Sequence, residues 1–148
     1  FTVEGCRNAR RIQDAKVYQN ACEQLCQKIC AQIELPDRLL VLGTEEFMYP
    51  ALLLAAKLEE QGKFVRFHAT TRSPIAVSTE SEYPLHTRYE LASIYDNQRK
   101  TFVYDLAAYN AVIIISDAPI TSAEGKNSIY KALAHSGNQN ITLVQWKE

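Results

Sequence analysis

The sequence predicts an α/β fold: a Rossmann-like, mostly parallel sheet of about four core strands, with flanking helices and a hairpin inserted between the second and third core strands. Two almost wholly apolar runs, Arg38–Gly43 (RLLVLG) and Val112–Ser116 (VIIIS), have the composition of strands buried on both faces. A helical stretch separates the first of them from a further strand, Phe64–Thr70 (FVRFHAT), with a short loop on either side, which makes a βαβ unit. A last strand, Ile141–Trp146 (ITLVQW), follows a helical segment that ends at Gly137.

Taken in order, residues 7–33 read as a long amphipathic helix. Arg7, Arg10 and Arg11 stand at its start, the stripe runs Ile12, Tyr18, Cys22, Leu25, Ile29, Ile33, and Pro36-Asp37 marks the break. Cys22, Cys26 and Cys30 share one helical face. Their nearly parallel Cα–Cβ vectors suit a disulfide poorly, and three thiols without a nearby His make a poor zinc shell, so they read as small apolar residues, reduced and metal-free. Cys6 shows no role.

After the Arg38–Gly43 strand, residues 44–49 form a loop. Pro50 suits the first helical position, and Leu52, Leu53, Leu54, Ala55, Ala56 and Leu58 carry a largely buried helix to Gly62. Pro74 ends regular structure after Phe64–Thr70. Arg88–Tyr95 and Lys100–Tyr104 have β character around the turn Asp96-Asn97-Gln98, and form the inserted hairpin. Asp117-Ala118-Pro119 ends the third core strand, and the last helix begins near Gly125.

The chain has 148 residues, with 16 Lys+Arg against 17 Asp+Glu, so it lacks the basic excess of a nucleic-acid face. No apolar run approaches the roughly 20 residues of a membrane span, and the N-terminus lacks the layout of a secretory signal. The expectation is a cytoplasmic protein whose residues 1–148 form one domain, a helical segment 1–35 and an α/β core 36–148. The first residue is Phe1 and the first clear strand comes near residue 38, which points to a piece of a longer chain.

In open parallel sheets ligands bind beyond the carboxyl ends of the strands, where helix N-termini offer unpaired N–H donors. Three polar clusters end three strands here: Gly43-Thr44-Glu45-Glu46, Thr70-Thr71-Arg72-Ser73 and Ser116-Asp117. If the second strand lies on one side of the first and the third on its other side, all three share one crevice. Arg72 suits a phosphate or carboxylate, gripped by two parallel bonds, with Thr70, Thr71 and Ser73 donating to the remaining oxygens; its alternative is a surface ion pair. Glu45 and Glu46 suit ribose hydroxyls, an amine or a divalent cation beside a phosphate, or simply favour a helix N-terminus. Asp117 suits a base, a metal ligand, a sugar acceptor or a cap. His86 and Arg88 stand where a long insertion can fold over the crevice as a lid. His68 reads as a packed strand residue, and His135 as a helix C-terminal residue favouring the dipole.

Two partial motifs lead nowhere alone. Gly125-Lys126-Asn127-Ser128 is similar to the end of a P-loop, but Ile120 stands where Gly is required. Residues 112–122 share an apolar strand and an acid with the phosphoribosyl-diphosphate loop of phosphoribosyltransferases, but lack its second acid and its Thr-Gly turn.

At Thr71-Arg72-Ser73-Pro74 the chain resembles the TRSP domain, named for those four residues. Supporting blocks are residues 40–50 (LVLGTEEFMYP), 66–75 (RFHATTRSPI), 83–89 (YPLHTRY) and 115–117 (ISD), which together cover roughly residues 36–120. The resemblance implies a domain found C-terminal to orotate-phosphoribosyltransferase-like domains in bacteria. It also implies a gene neighbourhood of tellurite-resistance and stress-response operons that makes or modifies a ribonucleoside-like metabolite. Transferase chemistry would belong to the upstream domain of the same chain. The expectation is an accessory domain that binds a phosphorylated or carboxylated, nucleotide-like metabolite. No cofactor is required for folding. Two alternatives stand beside this expectation: an enzyme using Glu45 or Asp117 as acid/base or metal ligand, the one reading that admits Mg, or a structural domain mediating homo-oligomerisation through the long helix and hairpin.

Overall fold

The computed structural model describes residues 1–8, 10–11, 14–119 and 121–148. Its elements are β1 (Thr2–Glu4), α1 (Ala15–Gln32), β2 (Arg38–Gly43), α2 (Tyr49–Glu60), β3 (Phe64–Ala69), β4 (Arg88–Ala92), β5 (Lys100–Tyr104), β6 (Ala111–Ser116), α3 (Ala123–His135) and β7 (Ile141–Lys147). Five strands form one sheet in the order β1-β7-β6-β2-β3, every neighbouring pair parallel, while β4 and β5 pair antiparallel as a separate hairpin. The fold class is as the sequence predicts, with five parallel strands rather than about four.

The difference lies at the N-terminus. Residues 1–35 are not one helical segment. Thr2–Glu4 is a strand, registered on β7 as Thr2↔Gln145, Val3↔Trp146 and Glu4↔Lys147. Three residues carry no periodicity of their own, and their strand character comes from pairing with the far end of the chain. Gly5, at φ 103°, turns the chain out of β1. Arg7, Asn8, Arg10 and Arg11 therefore belong to the β1–α1 connection, not to the helix. Asp14 caps α1, its carboxylate accepting from the amides of Lys16 and Val17 at 2.9 and 3.0 Å, which sets the helix start eight residues later than the arginines suggest. Ile12 of the proposed stripe lies outside the described residues.

Alternation along β2 and β6 builds two cores. Leu39, Val41, Ile113 and Ile115 face α1 and α2, joined by Val144 and Trp146. Cys22, Leu25, Cys26 and Ile29 of α1 complete that layer, so the cysteine face is a packing face. Leu40, Leu42, Val112 and Ile114 face the other way, against Leu91, Ile94 and Val103 of the hairpin region and Ile129 and Leu133 of α3. The inserted hairpin thus covers sheet surface beside α3. It is joined to the end of β3 by paired amides of Thr71 and Phe102 at 2.9 and 2.7 Å.

Among the described residues, no helix is long and apolar enough to cross a membrane.

Candidate functional site

In the sheet order β2 lies between β6 and β3, so the carboxyl ends of these three strands stand side by side. The chain steps outward from β2 to β3 and then returns across β2 to β6, which makes the β2–β6 boundary the switch point where such sheets bind ligands.

On the β2–β3 side is a cleft of about 230 Å³ lined by Glu45, Glu46, Met48, Ala69 and residues 70–73. The turn after β2 shapes it. Gly43 is needed there because a Cβ would stand 3.1 Å from the Phe47 carbonyl oxygen and 3.2 Å from Met48 Cα. Thr44 and Phe47 close the turn with mutual backbone bonds at 3.3 and 2.9 Å, and Glu45 takes φ 52°, a left-handed conformation costly for a residue with a Cβ. Arg72 reaches across the mouth to Glu46, and both side chains are about half exposed. The Thr70 hydroxyl accepts from the Glu45 amide at 3.0 Å and the Thr71 hydroxyl from the Ser73 amide at 3.2 Å, which leaves each O–H free to donate. The Ser73 carbonyl accepts from the Tyr104 hydroxyl at 2.6 Å.

Glu45 does not face this cleft as an open acceptor. Its side chain is 1% exposed; one oxygen accepts from the Ser93 hydroxyl and the other from Arg99 Nη1 at 2.8 Å. The pairing holds the Arg99 guanidinium more firmly protonated, through the hydrogen bond first and the charge second.

At the switch point stands Tyr95, from the segment after β4. Its hydroxyl donates to Asp117 Oδ1 at 2.6 Å and lies 2.8 Å from the Thr44 hydroxyl, which is itself 3.1 Å from the Ile115 carbonyl. Burial, then the hydrogen bond to Asp117, pushes the Tyr95 phenol well above its ordinary pKa. The second Asp117 oxygen pairs with Arg10, whose guanidinium lies 5.4 Å from the centre of the Tyr95 ring; Asp117 is 5% exposed and Arg10 48%.

Three arginines, Arg10, Arg72 and Arg99, are therefore anchored by three acids, Asp117, Glu46 and Glu45, over adjoining strand ends. The acids are engaged as anchors, and the open donors are those of the arginines, whose side chains are 37–56% exposed. Among the described residues no group of three or more His, Cys, Asp or Glu gathers as a cation site. Glu45, Glu46 and Asp117 each meet an arginine instead.

His86 and Arg88 make other contacts. The His86 ring bonds the Ser78 carbonyl at 2.9 Å, while its amide and that of Thr87 donate to Asp105 Oδ1 at 3.0 and 2.7 Å. Arg88 donates to the Ile75 carbonyl at 3.1 Å and lies over the Phe102 ring. Both fasten the chain between β3 and β4. The side chains of the insertion that bond the strand-end acids Glu45 and Asp117 are Ser93, Tyr95 and Arg99, in the tip of the hairpin, which sequence reasoning missed along with Arg10. Their sequence signal is only the Asp96-Asn97-Gln98 turn that brings Ser93 and Arg99 together, the Ser93 amide donating to the Arg99 carbonyl at 2.8 Å.

Residues 4–133, from β1 into α3, match the family model described as "TRSP domain C terminus to PRTase_2". The chain belongs to the TRSP family. That description places the TRSP domain after a phosphoribosyltransferase-type domain. The match takes in the N-terminal segment as well as the blocks that carry the sequence resemblance. Among solved structures, the TRSP chain is similar to an adenine phosphoribosyltransferase from Thermoanaerobacter pseudethanolicus, with TM-score 0.52, 13% identity, and 93% of this chain and 88% of that chain covered. At that identity the likeness is one of fold. No curated protein matches the chain.

Proposed function

We propose that this TRSP domain binds a phosphate- or carboxylate-bearing, nucleotide-like metabolite beyond the ends of β2, β3 and β6, as an accessory to a phosphoribosyltransferase-like domain upstream in the same chain. The observation that carries the reading is Arg72, held by Glu46 at the mouth of the cleft lined by Thr70, Thr71 and Ser73. A half-exposed arginine side chain keeps donors for an anion, and the hydroxyls of Thr71 and Ser73 meet its remaining oxygens. Binding is favoured over independent catalysis because Glu45 and Asp117, the candidate acid/base groups, already spend their oxygens on Ser93, Arg99, Tyr95 and Arg10. The strand-end sequence also lacks the second acid and the Thr-Gly turn of a phosphoribosyl-diphosphate loop. In this reading the metabolite is ribonucleoside-like and serves the tellurite-resistance and stress-response setting that the family resemblance implies, in the bacterial cytoplasm.

Arg72→Ala should weaken binding of adenosine monophosphate by about 2–4 kcal/mol, the loss of a charge-assisted pair, with thermal melting nearly unchanged because exposed ion pairs add about 0–1 kcal/mol. Titration calorimetry beside melting measures both. Equal affinity in parent and variant moves the anion elsewhere. Diphosphate release from phosphoribosyl diphosphate, assayed with candidate bases, should be absent for residues 1–148 and present when the upstream domain is joined. Turnover by residues 1–148 alone would promote Asp117 to catalysis.

A further inference from the structure

A larger cavity, about 410 Å³, lies on the other side of Tyr95, beyond the ends of β6, β7 and β1. The β3-side cleft is three strand spacings from β7, about 14 Å across the sheet. The hydrogen-bonded group Thr44, Tyr95 and Asp117 stands between them. We propose that this cavity is a second ligand site, which takes a small organic anion built on an apolar ring.

The floor determines the ring. Trp146 and Cys6 line the cavity, and they are 2% and 9% exposed. Trp146 is fixed from behind by Phe47 and Tyr18, at ring-centroid distances of 6.0 and 6.4 Å. Burial pushes the Cys6 thiol up to about 12, so it stays neutral and behaves as a small apolar group. The β7 end is held against this floor by bonds from the Gly5 and Cys6 amides to the Lys147 carbonyl, at 2.9 and 2.7 Å. The surface is thus formed before any ligand arrives.

The walls determine the charge. Arg10, Arg11 and Lys147 line the cavity against Asp117 and Glu148. Asp117 is already paired with Arg10, which leaves Arg11 and Lys147 beside Glu148. Among the described residues neither Arg11 nor Lys147 has a carboxylate within ion-pair distance. An adjoining cavity shares Cys6, Asn8, Arg11 and Glu148 and adds Arg7, which raises the cationic excess on this side. A bare inorganic anion leaves the aromatic floor unused, and a neutral ring leaves the cations unused. The volume suits a ligand of one or two rings.

Trp146 is the one tryptophan of the chain, so its fluorescence reports this cavity directly. Titration of the whole chain with benzoate should give a saturable change, with benzamide, its neutral counterpart, and inorganic phosphate each weaker by about tenfold or more. Arg11→Ala and Lys147→Gln, tested separately and checked by circular dichroism, should each weaken benzoate by a similar factor, while Arg72→Ala leaves it unchanged. No saturable change, equal binding of benzamide, or unchanged affinity in both folded variants would overturn the proposal. Loss of benzoate binding in Arg72→Ala would overturn it too, by assigning the anion to the β2–β3 cleft.

Discussion

Replacing Gly125 by alanine tests how the insertion is held over the strand ends. Gly125 is in the first turn of α3, and a Cβ there would meet the Ser93 carbonyl oxygen at 2.3 Å, its carbon at 2.6 Å and Ile94 Cα at 2.7 Å, all backbone atoms. Restoring van der Waals contact requires the 93–94 backbone to retreat by about 1 Å. That backbone is bonded to the same helix: the Ser122 amide donates to the Ile94 carbonyl at 3.0 Å, and the Ala92 amide to the Ser128 hydroxyl at 3.1 Å. Overpacking costs about 1–3 kcal/mol and each weakened bond about 1 kcal/mol, against a helical preference for alanine of at most about 1 kcal/mol. The net expectation is a loss of roughly 2–4 kcal/mol, a fall in melting temperature on the order of 5–15 °C for a chain of this length. Urea denaturation followed by far-ultraviolet dichroism measures it. Because Ser93, whose hydroxyl holds Glu45, is displaced together with Ile94, adenosine monophosphate binding should weaken along with stability. A variant as stable as the parent, or more stable as helix propensity alone demands, would refute the close approach of α3 to the hairpin tip.

Tyr95→Phe removes the hydroxyl that meets Asp117 and Thr44, and should cost roughly 1–2 kcal/mol in urea denaturation; no loss would show that the switch-point bonds contribute nothing to folding. Burial raises the thiols of Cys6 and Cys26 to about 12 and of Cys22 to about 11, so at pH 8 iodoacetamide should alkylate them only at the rate of unfolding. Their raised values stabilise the fold fully below about pH 8.5, where unfolded thiols titrate, and this contribution should fade as pH rises through 11–12. Melting curves across pH 7–11 check the sign, with Cys26→Ala expected to flatten the alkaline fall.

What the sequence determined by itself is the parallel core and the residues at its carboxyl ends. A strand buried on both faces must be apolar throughout, so the runs Arg38–Gly43 and Val112–Ser116 announce themselves, and parallel connection puts the residues after them on one edge. Thr44, Glu45, Thr70, Arg72 and Asp117 were legible on that ground alone. The β4–β5 pairing was legible too, since its two strands flank a turn. Tertiary structure decided what those strand-end residues meet. Arg10 and Asp117 are 107 positions apart, and Glu45 and Arg99 are 54 apart. No local periodicity encodes such partners, because they depend on how an insertion and an N-terminal connection fold back. Strand β1 is the same case in backbone form: three residues become a strand only because β7, more than 130 residues later in the chain, offers an edge to pair with.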